Sequence, residues 1–130
     1  MSKPIIYLGR KIQKEIDQSP EDVRDRINFE LVALQEGQPS SFEYHTYNDP
    51  EDDSKYPPVV HKNMKETIGK HARQFTIKSQ DSYRIIYVSV HKEAIYVLHF
   101  FKKKTEGVSP KEYNTAHQRY KNLEQHRKSL

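Results

Sequence analysis

Arg84 is the residue whose setting most demands a chemical explanation. It interrupts an otherwise apolar run, Tyr83-Arg84-Ile85-Ile86-Tyr87-Val88. A guanidinium in so apolar a strand needs an anion, either a carboxylate of the protein or a bound ligand. Its planar fork matches phosphate oxygens. A second apolar run, Ala94 to Phe101, leads straight into Lys102, Lys103 and Lys104, and a basic helix follows that begins near Lys111 and Tyr113. A small sheet with cations at its strand ends can grip a phosphate backbone. Strand alternation sends the middle lysine to the face opposite its neighbours, so at least one of the three reaches the face of Arg84. His99 lies three residues before the lysines. With an ordinary pKa of about 6.5 it is a candidate base, or else a core histidine bonded to backbone.

The balance of charge agrees with an anionic partner without requiring one. There are 22 Lys+Arg against 18 Asp+Glu, a formal net charge of +4. Most of the acids precede Lys55, including the run Asp49-Pro50-Glu51-Asp52-Asp53, and basic residues dominate afterwards. That asymmetry suggests one face for an anion and a separate solvated acidic loop. Absence of cysteine excludes disulfides and thiolate metal sites. The seven histidines (His45, His61, His71, His91, His99, His117 and His126) contain no HExxH-type spacing, so no metal site is expected. Neither a signal-peptide core nor a stretch near the roughly 20 apolar residues of a membrane span is present, which points to a cytoplasmic chain.

These side chains need a scaffold, and 130 residues suit one domain with one modest core. Only 34% of residues are hydrophobic, so that core must be concentrated in a few segments. Pro4 to Leu8 reads as a first strand, and Arg10 to Asp17 as a short helix. Ser19-Pro20-Glu21-Asp22 is a helix start, with serine as cap and proline at the first helical position. Val23, Ile27, Leu31 and Leu34 then recur at helical spacing up to a stop at Gly37, which predicts a helix over about 20–36 packed on a sheet. Residues 38–60 carry four prolines and the acidic run, and read as a flexible insertion. Strands are predicted over 71–78, 82–90 and 94–101 as an antiparallel meander. Ser109-Pro110-Lys111-Glu112 reads as a capping box opening the last helix, whose apolar stripe is Tyr113, Ala116, Tyr120 and Leu123. The predicted fold is α+β: about four mostly antiparallel strands with N-terminal helices packed on them and a C-terminal helix.

In that order of elements the chain resembles the RelE/ParE toxin superfamily, and within it the phage-derived HigB-like branch. The resemblance rests on Tyr83 to Val88, on Ile95-Tyr96-Val97-Leu98-His99-Phe100-Phe101-Lys102-Lys103-Lys104-Thr105, on Ser109-Pro110-Lys111 and on Ala116-His117-Gln118-Arg119-Tyr120. A looser match runs from Lys62 to Ile77 through Met64-Lys65, Gly69 and Arg73. Pro20 to Gly37 is similar to the superfamily's first long helix.

The resemblance implies a metal-independent, cofactor-free endoribonuclease that cuts mRNA on the ribosome. The RNA 2′-hydroxyl would attack the adjacent phosphate, leaving a cyclic phosphate and a free 5′-hydroxyl. Arg84, Lys103, His99 and Arg73 are the catalytic candidates. Lys65, Lys102, Lys104, Tyr113 and Lys111 are the RNA-binding ones. Taken alone, the lysine run would be only a solvated strand end; the resemblance makes it an RNA contact. Tyr113 would stack on a base or donate a hydrogen bond, although its place on the apolar stripe also suits packing. The implied partners are a cognate helix-turn-helix antitoxin, operator DNA through that antitoxin, and the ribosome with its mRNA; no membrane is implied. One departure stands out. The superfamily commonly carries an acid and then a basic residue shortly after an arginine, where this chain has Gln74, Phe75 and Thr76 after Arg73. That keeps two other readings open: a ParE-like toxin that does not cut RNA, and an inactive binding module.

Overall fold

The computed structural model describes residues 3–37, 57–103 and 109–129. Its elements are β1 (Ile5–Tyr7), α1 (Ile12–Asp17), α2 (Glu21–Gln35), β2 (Val59–Asn63), β3 (Arg73–Lys78), β4 (Ser82–Val88), β5 (Ile95–Lys103) and α3 (Pro110–Lys128). The strands form one sheet in the order β1-β5-β4-β3-β2. β2 through β5 pair antiparallel in succession, and β1 lies parallel against β5. The α+β class and the β3-β4-β5 meander agree with the sequence reading.

The sheet has five strands where about four were expected, β2 being the additional one. β2 straddles the expected end of the insertion at residue 60. It is short and follows two prolines, which reads as loop. Pro58 nevertheless serves as the lead-in, its carbonyl accepting a 2.9 Å bond from the Lys78 amide. Proline is tolerated there because β2 is an edge strand whose start donates nothing to the ladder. Residues 38–56, with the acidic run and Tyr44, Tyr47 and Tyr56, lie outside the described residues.

Each face of the sheet is covered by different helices. Val23, Ile27, Leu31 and Leu34 of α2, with Ile12 and Ile16 of α1, are buried with Phe75, Ile77, Ile85 and Tyr87. Full burial of each such side chain is worth roughly 1.5–3 kcal/mol, so this stripe is what seats α2. On the other face Ala116, Tyr120 and Leu123 of α3 pack with Met64, Ile68, Ile86, Val88 and Leu98. Gly69 lies directly under the Tyr120 ring, in space that a Cβ would occupy.

Helix boundaries fall near the expected places, by different means. Gly37, at φ +82°, ends α2 with its amide bonded to the Leu34 carbonyl. Neither capping serine makes a side-chain cap bond. Ser19 instead donates to the Ile16 carbonyl and closes α1, and Pro20 is the N-cap of α2. Glu112, the expected acid of a capping box, is drawn away to His99.

One buried polar network was not visible in the apolar pattern. Glu30 of α2 is 3% exposed and accepts a 2.6 Å bond from His61 Nε2. His61 Nδ1 lies 3.1 Å from the Tyr87 hydroxyl, which Arg73 also bonds. Burial pushes the Tyr87 phenol up to about 12, which keeps its proton in place as a donor. Arg26, also buried, stands 3.7 Å from the second Glu30 oxygen. Removing one member of a buried ionic group leaves its partner unpaired, at a cost of about 3 kcal/mol. Glu30→Ala is therefore expected to lower the unfolding free energy by about 3 kcal/mol in urea titration. A loss below about 1 kcal/mol would show that the network does not seat α2.

Candidate phosphate-binding groove

Strand pairing decides which side chains meet. Lys62 pairs with Gln74, Thr76 with Arg84, Lys78 with Ser82, and Ser82 with Lys103. Directly paired residues share a face, so these side chains converge beside the part of the sheet that α3 covers. They line an open groove of about 470 Å³, together with Val60, Gln80 and Asp81. Lys62, Lys78, Arg84 and Lys103 supply four positive charges. Among the described lining residues Asp81 is the one carboxylate, and it is already bonded to Lys102 at 3.1 Å. A concave lining with this excess of positive charge concentrates anions.

Arg84 sits at the inner end of the groove. Its Nη1 donates to the Tyr113 hydroxyl at 2.6 Å. That hydroxyl donates to Gln74 Oε1 at 3.1 Å, and Gln74 Nε2 donates to Thr76 Oγ1 at 3.3 Å. Gln74 is 2% exposed, so its amide must be satisfied inside the protein, and this chain does so. Among the described residues no carboxylate pairs with Arg84. The guanidinium is positioned by the Tyr113 hydroxyl and lines the groove. Tyr113 is thus more than packing: its ring meets Phe101 edge-on at 5.7 Å while its hydroxyl orients Arg84.

The other sequence candidates are dispersed. Lys103 shares the groove with Arg84. Lys102 pairs opposite Tyr83, on the other face, and is held by Asp81; exposed pairs of this kind contribute little stability. Lys104 lies outside the described residues. Lys65 and Lys111 are exposed and do not line the groove. Arg73 also points to the other face, where it bonds Tyr87. The reason is period two: if Gln74 and Thr76 face the groove, Arg73 and Phe75 cannot.

His99 is also set apart. A bulge between Ile86 and Tyr87 shifts the β4-β5 register there. Arg119 Nη1 lies 3.1 Å from His99 Nδ1 and donates to the Leu98 carbonyl at 2.8 Å, while His99 Nε2 meets Glu112 Oε1 at 2.9 Å. Both ring nitrogens are engaged, and the ring stacks on Phe101, which stands between it and Tyr113. His99 borders a different pocket with Arg10, Lys11 and Arg119. Lys62 and Lys78 are groove residues that the sequence did not single out. Lys62 would have been found by reading Val60 and Lys62 as alternate positions of a strand. Gln74 and Thr76 stood out only as a departure, yet both line the groove. Among the described residues no group of three His, Asp or Glu could hold a metal ion, and no helix is long and apolar enough to cross a membrane.

A family model described as phage derived protein Gp49-like (DUF891) matches residues 52–121, more than half of the chain. The chain belongs to the Gp49-like family. This family lies in the RelE/HigB-like toxin superfamily. A search of curated proteins gave no match. The Gp49-like match spans β2 to most of α3 and so takes in every described residue that lines the groove.

Replacing Tyr113 with phenylalanine keeps the ring against Phe101 but strands the Gln74 amide and frees Arg84. Tyr113→Phe is expected to cost about 1–3 kcal/mol of stability. It should also speed hydrogen exchange at the Arg84 guanidinium, read by NMR. Unchanged exchange would mean that Tyr113 does not hold Arg84.

Proposed function

We propose that this chain is the toxin of a type II toxin–antitoxin pair and acts as an endoribonuclease on translated mRNA, restrained by a cognate helix-turn-helix antitoxin. The observation that carries this reading is the open cationic groove around Arg84, Lys103 and Lys62. Membership of the Gp49-like family supports the toxin assignment.

Cleavage of RNA by its own 2′-hydroxyl suits such a groove. The 2′-oxygen bonds to phosphorus, the bond from phosphorus to the 5′-oxygen breaks, and the products are a 2′,3′-cyclic phosphate and a 5′-hydroxyl. Negative charge builds on the non-bridging oxygens in the transition state, and preorganised cations stabilise it. In this reading Arg84, fixed by Tyr113, clamps those oxygens, and Lys103 flanks the same phosphate. Lys62 supplies from β2 the cation that the Gln74-Phe75-Thr76 segment does not. A groove ammonium protonates the departing 5′-oxygen, and solvent water takes the 2′-hydroxyl proton. His99 acts through α3, by holding Glu112 next to Tyr113, and does not act as the base.

The absence of an imidazole or a free carboxylate from the described groove favours one alternative, a binding module that holds RNA without cutting it. Inducible expression in a bacterium separates the two. Growth arrest with new 5′-hydroxyl ends in translated messages is expected. Arg84→Ala and Lys103→Ala should each reduce cleavage at least about 100-fold, and His99→Gln much less. Arrest with intact messages would point to a ParE-like target instead. A folded protein without arrest would favour the binding module.

A further inference from the structure

β1 ends the sheet, at the edge opposite β2, with β5 as its neighbour. Its ladder uses alternate residues. The Pro4 carbonyl accepts from the Ile95 amide, and the Leu8 amide donates to the Val97 carbonyl, each at 2.9 Å. Ile6 lies between them, opposite Tyr96. Pro4, Ile6 and Leu8 therefore turn their backbone groups toward β5, and Ile5 and Tyr7 turn theirs outward. An outward row of this kind is a template for another extended chain. Charged side chains and bulges commonly blunt such edges; Ile5-Ile6-Tyr7 carries neither.

The side chains alternate as well. Ile5 and Tyr7 pack on the core under α1 and α2, while Leu8 packs on the α3 side. Ile6 shares the face of Leu8 and is 40% exposed. With Tyr96 and Leu123 these two wall an apolar pocket of about 300 Å³ beside the edge. Arg119, Asn122 and His126, on one face of α3, form its polar rim. Arg119 is fixed at the Leu8 end, since its guanidinium fills the space that a Cβ on Gly9 would need. Among the described residues its bonds, to the Leu98 carbonyl and to His99, use Nη1 alone. A guanidinium has further donors for a ligand. A lone exposed isoleucine needs no explanation. Here an exposed isoleucine, an apolar pocket and an outward backbone row meet at one place.

An extended segment of another protein uses all three. Its backbone pairs with Ile5 and Tyr7, and its alternate side chains point toward the pocket. One apolar side chain enters among Ile6, Leu8 and Leu123. The next on that face, about 7 Å along, reaches Arg119, where a carboxylate is the matching group. A second copy of this chain matches less well: pairing through β1 would present Pro4, Ile6 and Leu8 to the pocket, and none of them is acidic. We propose that β1 and this pocket are a docking edge for an extended segment of a partner protein, carrying an apolar residue and, two positions away, an Asp or Glu. The inference goes beyond the ribonuclease reading and does not depend on it.

Selection of a displayed random dodecapeptide library on the immobilised full chain, followed by fluorescence anisotropy of the enriched peptides, tests it. The enriched peptides are expected to share an apolar residue and an acid two positions apart. Ile6→Lys should weaken them at least about ten-fold, with an unchanged circular dichroism spectrum because Ile6 is already exposed. Ile6→Thr, which keeps the strand-favouring branch, should weaken them about three-fold. N-methylation of one alternate set of peptide amides, the set facing β1, should abolish binding, and methylation of the other set should not. Lys103→Ser should change nothing. No enrichment, or peptides bound as well by Ile6→Lys as by wild type, overturns the docking edge. Peptides weakened by Lys103→Ser instead would belong to the groove, which also overturns it and leaves the groove standing. Sedimentation of the wild type as a dimer that Ile6→Lys dissociates would assign the edge to a second copy and overturn the partner.

Discussion

Every strand of this sheet must divide its side chains between two faces, and that constraint decides what the molecule can bind. One face takes α1 and α2, the other takes α3. The basic residues of β2 to β5 cannot all meet. Gln74, Thr76, Lys78, Arg84 and Lys103 gather on one side, while Arg73 and Lys102 are sent to the other. A one-residue slip in β3 would exchange Arg73 for Gln74 and dismantle the groove. The apolar residues that fix register, Phe75 and Ile77 under α2, therefore also fix which cations line the groove.

Two polar chains then make the arrangement specific, one on each side of the sheet. Arg84, Tyr113, Gln74 and Thr76 are linked beneath the groove and tie α3 to the meander. Arg73, Tyr87, His61 and Glu30 are linked beneath α2. In both, an arginine is anchored by a tyrosine hydroxyl. The first arginine lines the groove, and its chain ends in an amide and a hydroxyl. The second chain ends in a buried carboxylate, which compensates its charge internally. That contrast is why Arg84 suits an external phosphate directly and Arg73 does not.

Much of the scaffold was legible in the sequence. The stripe Val23, Ile27, Leu31 and Leu34 fixed α2, and the doubly apolar runs around Arg84 and His99 fixed β4 and β5, because burial imposes those periods directly. That at least one of Lys102, Lys103 and Lys104 shares a face with Arg84 was legible through strand alternation; that Lys103 does so needed the β4-β5 register. β2 was hidden by Pro57 and Pro58, and with it went Lys62. The separation of His99 from Arg84 was not readable, since it depends on a bulge at Ile86 and Tyr87 and on Arg119 and Glu112 arriving from α3. The buried Glu30 and His61 were equally hidden: charged residues on a helix read as solvated until a partner from a distant strand is known.

The most direct test of the groove is NMR titration of the ¹⁵N-labelled protein with a 2′-O-methyl trinucleotide. Shifts centred on Lys62, Gln74, Thr76, Arg84 and Lys103, with His99 and Arg119 unmoved, are expected if the groove around Arg84 is where RNA binds. Shifts centred on His99, Arg10 and Arg119 instead would contradict it and move the site to the other pocket.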